Sequence, residues 1–100
     1  PILLFSMVED KDYAKVIRQL SARDWGMIVV THIPDTRGLA TEVLLEEFLK
    51  NGKEVLGIND IDAAYNYVMR KKEENQQVFC TGSLYLIGEL EKIAGGVSND

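Results

Sequence analysis

The stretch PILLFSM, residues 1–7, is a short and nearly continuous apolar run. Such a run is typical of a strand that is covered on both faces, as strands are inside a parallel sheet. Three more segments are predicted to be strands, at residues 26–31 (GMIVVT), 54–58 (EVLGI, the weakest) and 77–81 (QVFCT). Because each strand is short and apolar, helices are expected on both faces of the sheet.

Two segments with apolar residues at helical spacing separate the first three strands. The first helix is predicted from Tyr13 to about Ala22 with Asp10 as its N-cap. The second is predicted to end at Asn51 and Gly52, where glycine tolerates the left-handed conformation. Its inward-facing residues are expected to be Val43, Leu44, Phe48 and Leu49.

Two more helices complete the pattern. The third is predicted to be capped by Asn59 or Asp60, and the fourth to run from about Ser83 to Ile93. The inward-facing residues expected for the third are Ile61, Ala64, Tyr65, Val68 and Met69. Four strands alternating with four helices predict an α/β fold with a mainly parallel sheet between two helical layers. We expect one domain at residues 1–94 and a frayed tail at 95–100.

Composition excludes several classes of function. The net charge is −5, which argues against a nucleic-acid groove, and the basic run at 70–72 is interpreted as a solvated helix end. No apolar run is long enough to cross a membrane, and no signal peptide is visible at the N-terminus. The single cysteine, Cys80, suggests a buried strand position and a reducing compartment, so a cytoplasmic location is expected.

Polar segments follow all four predicted strands, at the edge where open parallel sheets bind ligands. These segments are residues 9–12, 32–37, 59–60 and 81–83. In the last segment, Gly82 permits a tight turn, and the free N–H groups of Ser83, Leu84 and Tyr85 would favour a carboxylate or phosphate. The alternative is that Ser83 only caps the fourth helix.

Two side chains of the second loop are candidates for ligand binding. Arg37, between Pro34 and Gly38, could bind a carboxylate through two hydrogen bonds, or could be an exposed structural arginine. His32 is the only histidine, and it lacks an evident nucleophile. One histidine does not make a metal site, so no metal is expected.

Three segments resemble a known family. Residues 5–13 (FSMVEDKDY) resemble the "FGM…DKDY" segment, residues 31–39 (THIPDTRGL) the "T-x-P-D-N-P-R-A-L" loop, and residues 81–89 (TGSLYLIGE) the "TGSLYLVGE" segment of the C-terminal domain of folylpolyglutamate synthases. These enzymes, often bifunctional with dihydrofolate synthase, belong to the Mur ligase superfamily. The order of the segments is that of the family, and together they span most of the chain.

The resemblance implies a Rossmann-like three-layer domain of an ATP-dependent ligase that adds L-glutamate to folates. In that family, ATP and Mg²⁺ convert a carboxylate into an acyl phosphate, which the amino group of glutamate attacks. In these enzymes ATP and Mg²⁺ are bound mainly by an N-terminal P-loop domain, which would be the partner of the present domain. Neither cofactor is therefore expected on the present chain. Glutamate and folate are the implied small-molecule partners.

The resemblance also implies roles for individual residues. Arg37 would bind a carboxylate of glutamate, with Ser83 and Tyr85 lining the same cleft. His32, at the start of the Arg37 loop, is included among the expected substrate-binding residues. The family motif also covers Asp10, Lys11 and Asp12, for which an ion pair that fixes the loop and a ligand contact both stay open.

The chain departs from the family pattern in three respects. Thr36 replaces the usual proline, and neither the "DGAHNP" segment nor the P-loop and catalytic lysine occurs. We therefore expect a fragment that lacks the domain's first strand and helix and is inactive alone. Its exposed strand edge is expected to favour self-association. The remaining elements could also lie on another polypeptide.

A regulatory receiver-like domain of flavodoxin-like fold is the alternative function. Its acid pair would be Glu9 and Asp10, its phosphorylated residue Asp60 and its hydroxyl Thr81. Asp60 is better explained as a helix cap, and no fifth strand is predicted that would carry the required lysine.

Overall fold

The computed structural model describes residues 1–9, 12–34 and 38–81, and within these ranges the chain forms one sheet of four parallel strands. The strands are β1 (Ile2–Phe5), β2 (Met27–Val30), β3 (Leu56–Gly57) and β4 (Val78–Thr81). Their order across the sheet is β3-β2-β1-β4. The predicted α/β class and parallel sheet are confirmed.

The described residues contain three helices: α1 (Tyr13–Ser21), α2 (Thr41–Lys50) and α3 (Ile61–Lys71). The expectation that Asp10 caps α1 is wrong, because the N-cap is Asp12, whose carbonyl accepts the N–H of Val16 at 3.1 Å. The helix therefore begins directly after Asp12. The predicted fourth helix and the tail lie outside the described residues.

Strand β1 lies between β2 and β4 and contributes to both faces of the core. Successive side chains of a strand point to opposite faces of the sheet. Leu3 and Phe5 pack against α1 and α2, together with Ile17, Leu44 and Phe48. Ile2 and Leu4 pack against α3, together with Ile61, Ala64 and Val68. The predicted helical cover on both faces is confirmed.

The two flanking strands are in parallel register with β1. Leu4, for example, lies opposite Val29 on one side and Cys80 on the other. Beneath the sheet, the rings of Phe5 and Phe48 meet edge to face with their centroids 5.7 Å apart. This geometry is the favourable one for aromatic pairs, so it adds to the gain from burial alone.

Strand β3 is shorter than predicted and lies at an edge of the described sheet. Only Leu56 and Gly57 pair with β2, and the N–H of Ile58 extends the pairing by donating to Val30 O at 2.9 Å. Leu56 is 40% exposed. The predicted weakness of this strand is confirmed, and its position at the edge explains it, because an edge strand is supported from one side only.

Two residues predicted to face inward lie on the surface instead. Leu49 is 52% exposed and Met69 is 40% exposed. Each follows a fully buried residue, Phe48 or Val68. One residue along a helix corresponds to a rotation of about 100°, so the next side chain leaves a narrow buried stripe. The prediction made the apolar stripe of both helices too wide.

The C-terminal end of α2 agrees with its prediction. Gly52 has φ 78°, in the left-handed region where a side chain would be strained. The N–H of Gly52 donates to Leu49 O at 2.9 Å, and that of Lys53 donates to Phe48 O at 3.1 Å. The carbonyl groups of Phe48 and Leu49, in the last turn of α2, are thus satisfied.

The amino ends of the strands carry the single tryptophan of the chain. The indole N–H of Trp25 donates to Leu20 O at 2.8 Å, at the end of α1. Its ring meets that of Phe79 edge to face, with the centroids 5.8 Å apart. Trp25 therefore connects the end of α1 to β4, two elements that are distant in sequence.

The buried stripe of α2 can be tested with two neighbouring substitutions. Phe48→Ala is expected to lower the free energy of unfolding by about 3–5 kcal/mol, since it leaves a cavity beside Phe5. The control Leu49→Ala is expected to change it by about 0.5 kcal/mol or less, because that side chain is half exposed. Urea unfolding followed by circular dichroism measures both, and similar losses would contradict the assigned stripe.

Candidate functional site

The strand order locates the point where a ligand is expected. The chain proceeds from β1 to β2 to β3 in one direction, and α3 then carries it back across the sheet to β4, on the other side of β1. The order therefore reverses between β1 and β4. In open α/β sheets, ligands bind beyond the carboxyl ends of the strands at such a point.

Residues 6–8, which follow β1, contact the end of β4 on one side and the loop after β2 on the other. On one side, the N–H of Ser6 donates to Thr81 O, at the end of β4, at 3.4 Å. On the other, Val8 forms an antiparallel bridge with Gly38. The N–H of Leu39 donates to Met7 O at 2.9 Å. Residues 6–8 thus connect the end of β4 to the end of the loop that follows β2.

Most of the predicted site residues lie outside the described ranges. These are Asp10, Lys11, Arg37, Ser83 and Tyr85. The structure describes two residues close to them in the chain, Gly38 directly after Arg37 and Thr81 two residues before Ser83. Both neighbours contact residues 6–8.

Two predicted residues are within the described ranges. His32 is half-buried at the carboxyl end of β2, and its backbone N–H donates to Asn59 O at 3.3 Å. Asp12 lies at the start of α1 and is exposed. The structure therefore places His32 beside the loop after β3 and Asp12 at the end of the loop after β1.

A cavity of about 200 Å³ lies beside His32 at the carboxyl edge of the sheet. Its lining residues come from the loops after β2 and β3 and from the first turn of α3: His32, Pro34, Asn59, Asp60, Ile61 and Asp62. The Oδ2 of Asp60 accepts the N–H of Ala63 at 2.9 Å, so Asp60 is the N-cap of α3. Of the two caps predicted for this helix, the structure selects Asp60.

Asp60 is also the residue that the receiver-like alternative would phosphorylate. Its carboxylate is committed to the backbone of α3, which is the role expected of an N-cap aspartate. This contact accounts for an aspartate at position 60 without any phosphoryl transfer. The alternative therefore gains no support from the geometry of the described residues.

Sequence reasoning missed two residues at this edge. Asn59 is predicted as a possible helix cap and as part of the polar segment 59–60, but not as a residue that holds the loop after β2. In the structure it accepts hydrogen bonds from Thr31, His32 and Thr41. Ser6 is fully buried, and its hydroxyl has no hydrogen-bond partner within the described part of the chain. No pattern in the sequence distinguishes Asn59 from an ordinary loop residue. For Ser6, the signal was a polar residue at the end of an apolar run.

The lone cysteine is no candidate nucleophile. Burial raises the pKa of the Cys80 thiol above its ordinary value. The thiol is therefore protonated at neutral pH, whereas the reactive form is the thiolate. The side chain is half-buried on β4, somewhat less than the buried strand position that was predicted.

The described part of the chain offers neither a cluster of metal ligands nor a membrane-spanning helix. Within residues 1–9, 12–34 and 38–81, no three His, Cys, Asp or Glu side chains are grouped so that they could hold a metal ion. In the same part of the chain, no helix has both the length and the apolar character needed to cross a membrane.

The fold was compared with solved structures. A bifunctional folylpolyglutamate synthase/dihydrofolate synthase from Yersinia pestis, complexed with AMPPNP and a Mn ion, matches 89% of this chain with a TM-score of 0.72 and 18% identity. A folylpolyglutamate synthase from Thermotoga maritima matches 99% of the chain with a TM-score of 0.71 and 25% identity. The chain has the fold of one part of the folylpolyglutamate synthases.

A folylpolyglutamate synthase from Mycobacterium tuberculosis, complexed with ADP and AMPPCP, gives the same result, with a TM-score of 0.72, 21% identity and 92% of this chain covered. The chain spans about a fifth of the length of these structures, between 21% and 23%. No protein-family model and no curated protein sequence matches the chain. The resemblance to folylpolyglutamate synthases found in the three sequence segments is thus confirmed by the structural neighbours.

The capping role of Asp60 can be tested with two substitutions. Asp60→Ala is expected to lower the free energy of unfolding by about 0.5–2 kcal/mol, since the N–H of Ala63 loses its acceptor. Asp60→Asn is expected to stay close to the unsubstituted protein, because asparagine caps about equally well. Urea unfolding measures both. A beryllium fluoride adduct on the Asp60 carboxylate would contradict this assignment and favour the receiver-like alternative.

Proposed function

We propose that this chain is the C-terminal, substrate-positioning part of an ATP-dependent ligase that adds L-glutamate to folates. The observation that carries the proposal is the contact of residues 6–8 with both Gly38 and Thr81. All three family-like segments of the sequence meet in this contact. The folylpolyglutamate synthase fold of the chain supports the same function.

The reaction of the whole ligase would proceed in two steps. The folate carboxylate attacks the terminal phosphorus of ATP, so that an acyl phosphate forms and ADP leaves. The amino group of glutamate then attacks the acyl carbon, phosphate leaves, and the nitrogen loses a proton to give the amide. The proposal places both steps in one cytoplasmic enzyme, in agreement with the single cysteine of the chain.

ATP and Mg²⁺ would be held mainly outside this chain, by a P-loop domain. The sequence has no P-loop, which supplies the backbone amides and the lysine that hold nucleotide phosphates. The described residues also do not provide a group of metal ligands. We therefore assign no step of phosphoryl transfer to the residues of this chain.

The contribution of this chain would be to bind and orient glutamate. Glutamate carries two carboxylates, and the chain itself is acidic, with a net charge of −5. Binding such a substrate requires local positive charge. The loops after the strands offer Lys11, His32 and Arg37 as basic side chains. Arg37 is the best suited of these, because its planar guanidinium can donate two parallel hydrogen bonds to one carboxylate.

The other proposed contacts surround this carboxylate. The backbone N–H groups at Ser83 and Tyr85 would complement it, as free amides at the start of a helix do. His32, fixed by its backbone to Asn59, would line the same cleft from the β2 side. Holding glutamate in one orientation beside the acyl phosphate would accelerate the second step through proximity.

The role of Arg37 can be tested in the complete protein that contains this chain. Arg37→Ala is expected to raise the KM for glutamate about ten- to hundredfold, since a charge-assisted hydrogen-bonded pair contributes about 1.5–3 kcal/mol. The KM for ATP should change little. The control is Arg23→Ala, which removes an exposed arginine near the amino ends of the strands. Equal effects of Arg37→Ala on both KM values would contradict the role.

The assignment of ATP binding to a domain outside this chain leads to a second prediction. The isolated 100-residue chain is expected to show no turnover of ATP when folate and glutamate are supplied, because it has no P-loop to hold the phosphates. Release of phosphate is the measurement, with the complete protein as the positive control. Phosphate release by the isolated chain that depends on both substrates would contradict the assignment of ATP binding to another domain.

A further inference from the structure

Asn59 connects three elements at the carboxyl edge of the sheet. It lies between the end of β3 and the N-cap of α3. Its backbone carbonyl accepts the hydroxyl of Thr31 at 3.2 Å and the N–H of His32 at 3.3 Å. Its side-chain Oδ1 accepts the hydroxyl of Thr41 at 2.6 Å. The end of β2 and the start of α2 are therefore fastened to the same residue.

These contacts close the base of one loop. Residues 32–40 connect β2 to α2, and Thr31 and Thr41 stand directly before and after them. Both threonines are buried. The first end of the loop is held by the backbone of Asn59, and the second end by its side chain. Substitution of Asn59 can therefore remove the second attachment and leave the first.

The position of Asn59 is itself well determined. On its amino side, Ile58 N–H donates to Val30 O at 2.9 Å and so continues the pairing of β3 with β2. On its carboxyl side, Asp60 caps α3. Since both chain neighbours of Asn59 are held in place, its Oδ1 is a fixed acceptor for the hydroxyl of Thr41.

Thr41 has one hydroxyl proton to donate and two acceptors within reach. Asn59 Oδ1 lies at 2.6 Å, whereas Glu42 Oε1 lies at 3.5 Å. Hydroxyl hydrogen bonds are strongest near 2.7–2.8 Å and are weak at the longer distance. The bond to Asn59 therefore determines the position of the Thr41 side chain.

We propose that Asn59 is a positioning residue for the glutamate site. This inference rests on the proposed function, in which Arg37 and His32 of the loop bind glutamate. The bridge between Gly38 and Val8 and the hydrogen bond from Leu39 N–H to Met7 O hold the loop at a second place. With the hydrogen bond from the Thr41 hydroxyl to Asn59 Oδ1, the stretch from Gly38 to the start of α2 is fixed at both of its ends.

The physical effect is on the cost of ordering the loop. A loop that is already held in its binding geometry loses less conformational freedom when the ligand binds. Loss of the bond from Thr41 to Asn59 would release the start of α2 and the residues before it. Glutamate would then have to order them, and its affinity would fall, whereas ATP would be bound elsewhere.

The experiment uses five variants of the complete protein that contains this chain. Asn59→Ala and Thr41→Val each remove one partner of the bond. The double variant Asn59→Ala/Thr41→Val removes both partners, and Thr41→Ser keeps the hydroxyl donor. The control is Asn66→Ala, an exposed asparagine on α3. For each variant, the KM for glutamate, the KM for ATP and the hydrogen exchange of peptides covering residues 38–44 are measured.

Asn59→Ala and Thr41→Val are expected to raise the KM for glutamate about three- to tenfold, which is the effect of one hydrogen bond, with the KM for ATP unchanged. The double variant should be no worse than either single one. Exchange at residues 38–44 should become faster in both. Thr41→Ser and Asn66→Ala should behave like the unsubstituted protein.

Three results would overturn the proposal, and they separate it from the proposed function. If Arg37→Ala raises the KM for glutamate but Asn59→Ala and Thr41→Val do not, the proposed function stands and the positioning role fails. If Arg37→Ala also has no effect, the proposed function fails and the positioning role fails with it. If Thr41→Ser impairs glutamate binding as much as Thr41→Val, the hydroxyl donor is not what matters.

Discussion

The structure depends on the burial of β1 from both sides. Its four side chains are at most 1% exposed, and they alternate between a core beneath α1 and α2 and a core beneath α3. Because both helical layers pack on the same strand, loss of β1 would remove Ile2 and Leu4 from one core and Leu3 and Phe5 from the other. The pairing of β1 with β2 and β4 then brings the carboxyl ends of three strands to one edge. Every residue of the proposed site comes shortly after one of these three strands in the sequence.

The same constraint explains where the loops meet. The segment after β1 leaves the sheet between the ends of its two neighbours, and its backbone bonds to both sides, through Ser6 and through Met7 and Val8. Strand β1 is central, and the strand order of the sheet reverses between β1 and β4. The segment that follows such a strand necessarily leaves the sheet between the ends of two neighbouring strands. The proposed glutamate site is therefore a consequence of topology first and of side-chain identity second.

Much of the fold could be predicted from the sequence, because apolar runs and helical spacing are local signals. The runs at PILLFSM and GMIVVT correspond to β1 and β2, and Gly52 ends α2 as expected. The errors arose where tertiary packing decides: Leu49 and Met69 fall just outside the buried stripes, and Asp12 replaces Asp10 as the cap of α1. For the site, the loop pattern and the resemblance together predicted Arg37, Ser83 and Tyr85, whereas the hydrogen bonds of Asn59 emerged only from the structure. Its three hydrogen bonds join residues far apart in sequence, and no local pattern encodes such contacts.

The pairing of Trp25 with Phe79 provides the chain with an intrinsic optical reporter. As the single tryptophan, Trp25 dominates the ultraviolet emission, and its indole is anchored at the end of α1 while its ring abuts β4. Detachment of β4 from the sheet would alter the surroundings of this fluorophore. Since it sits near the amino ends of the strands, the signal would follow the integrity of the sheet and be little disturbed by events at the opposite rim.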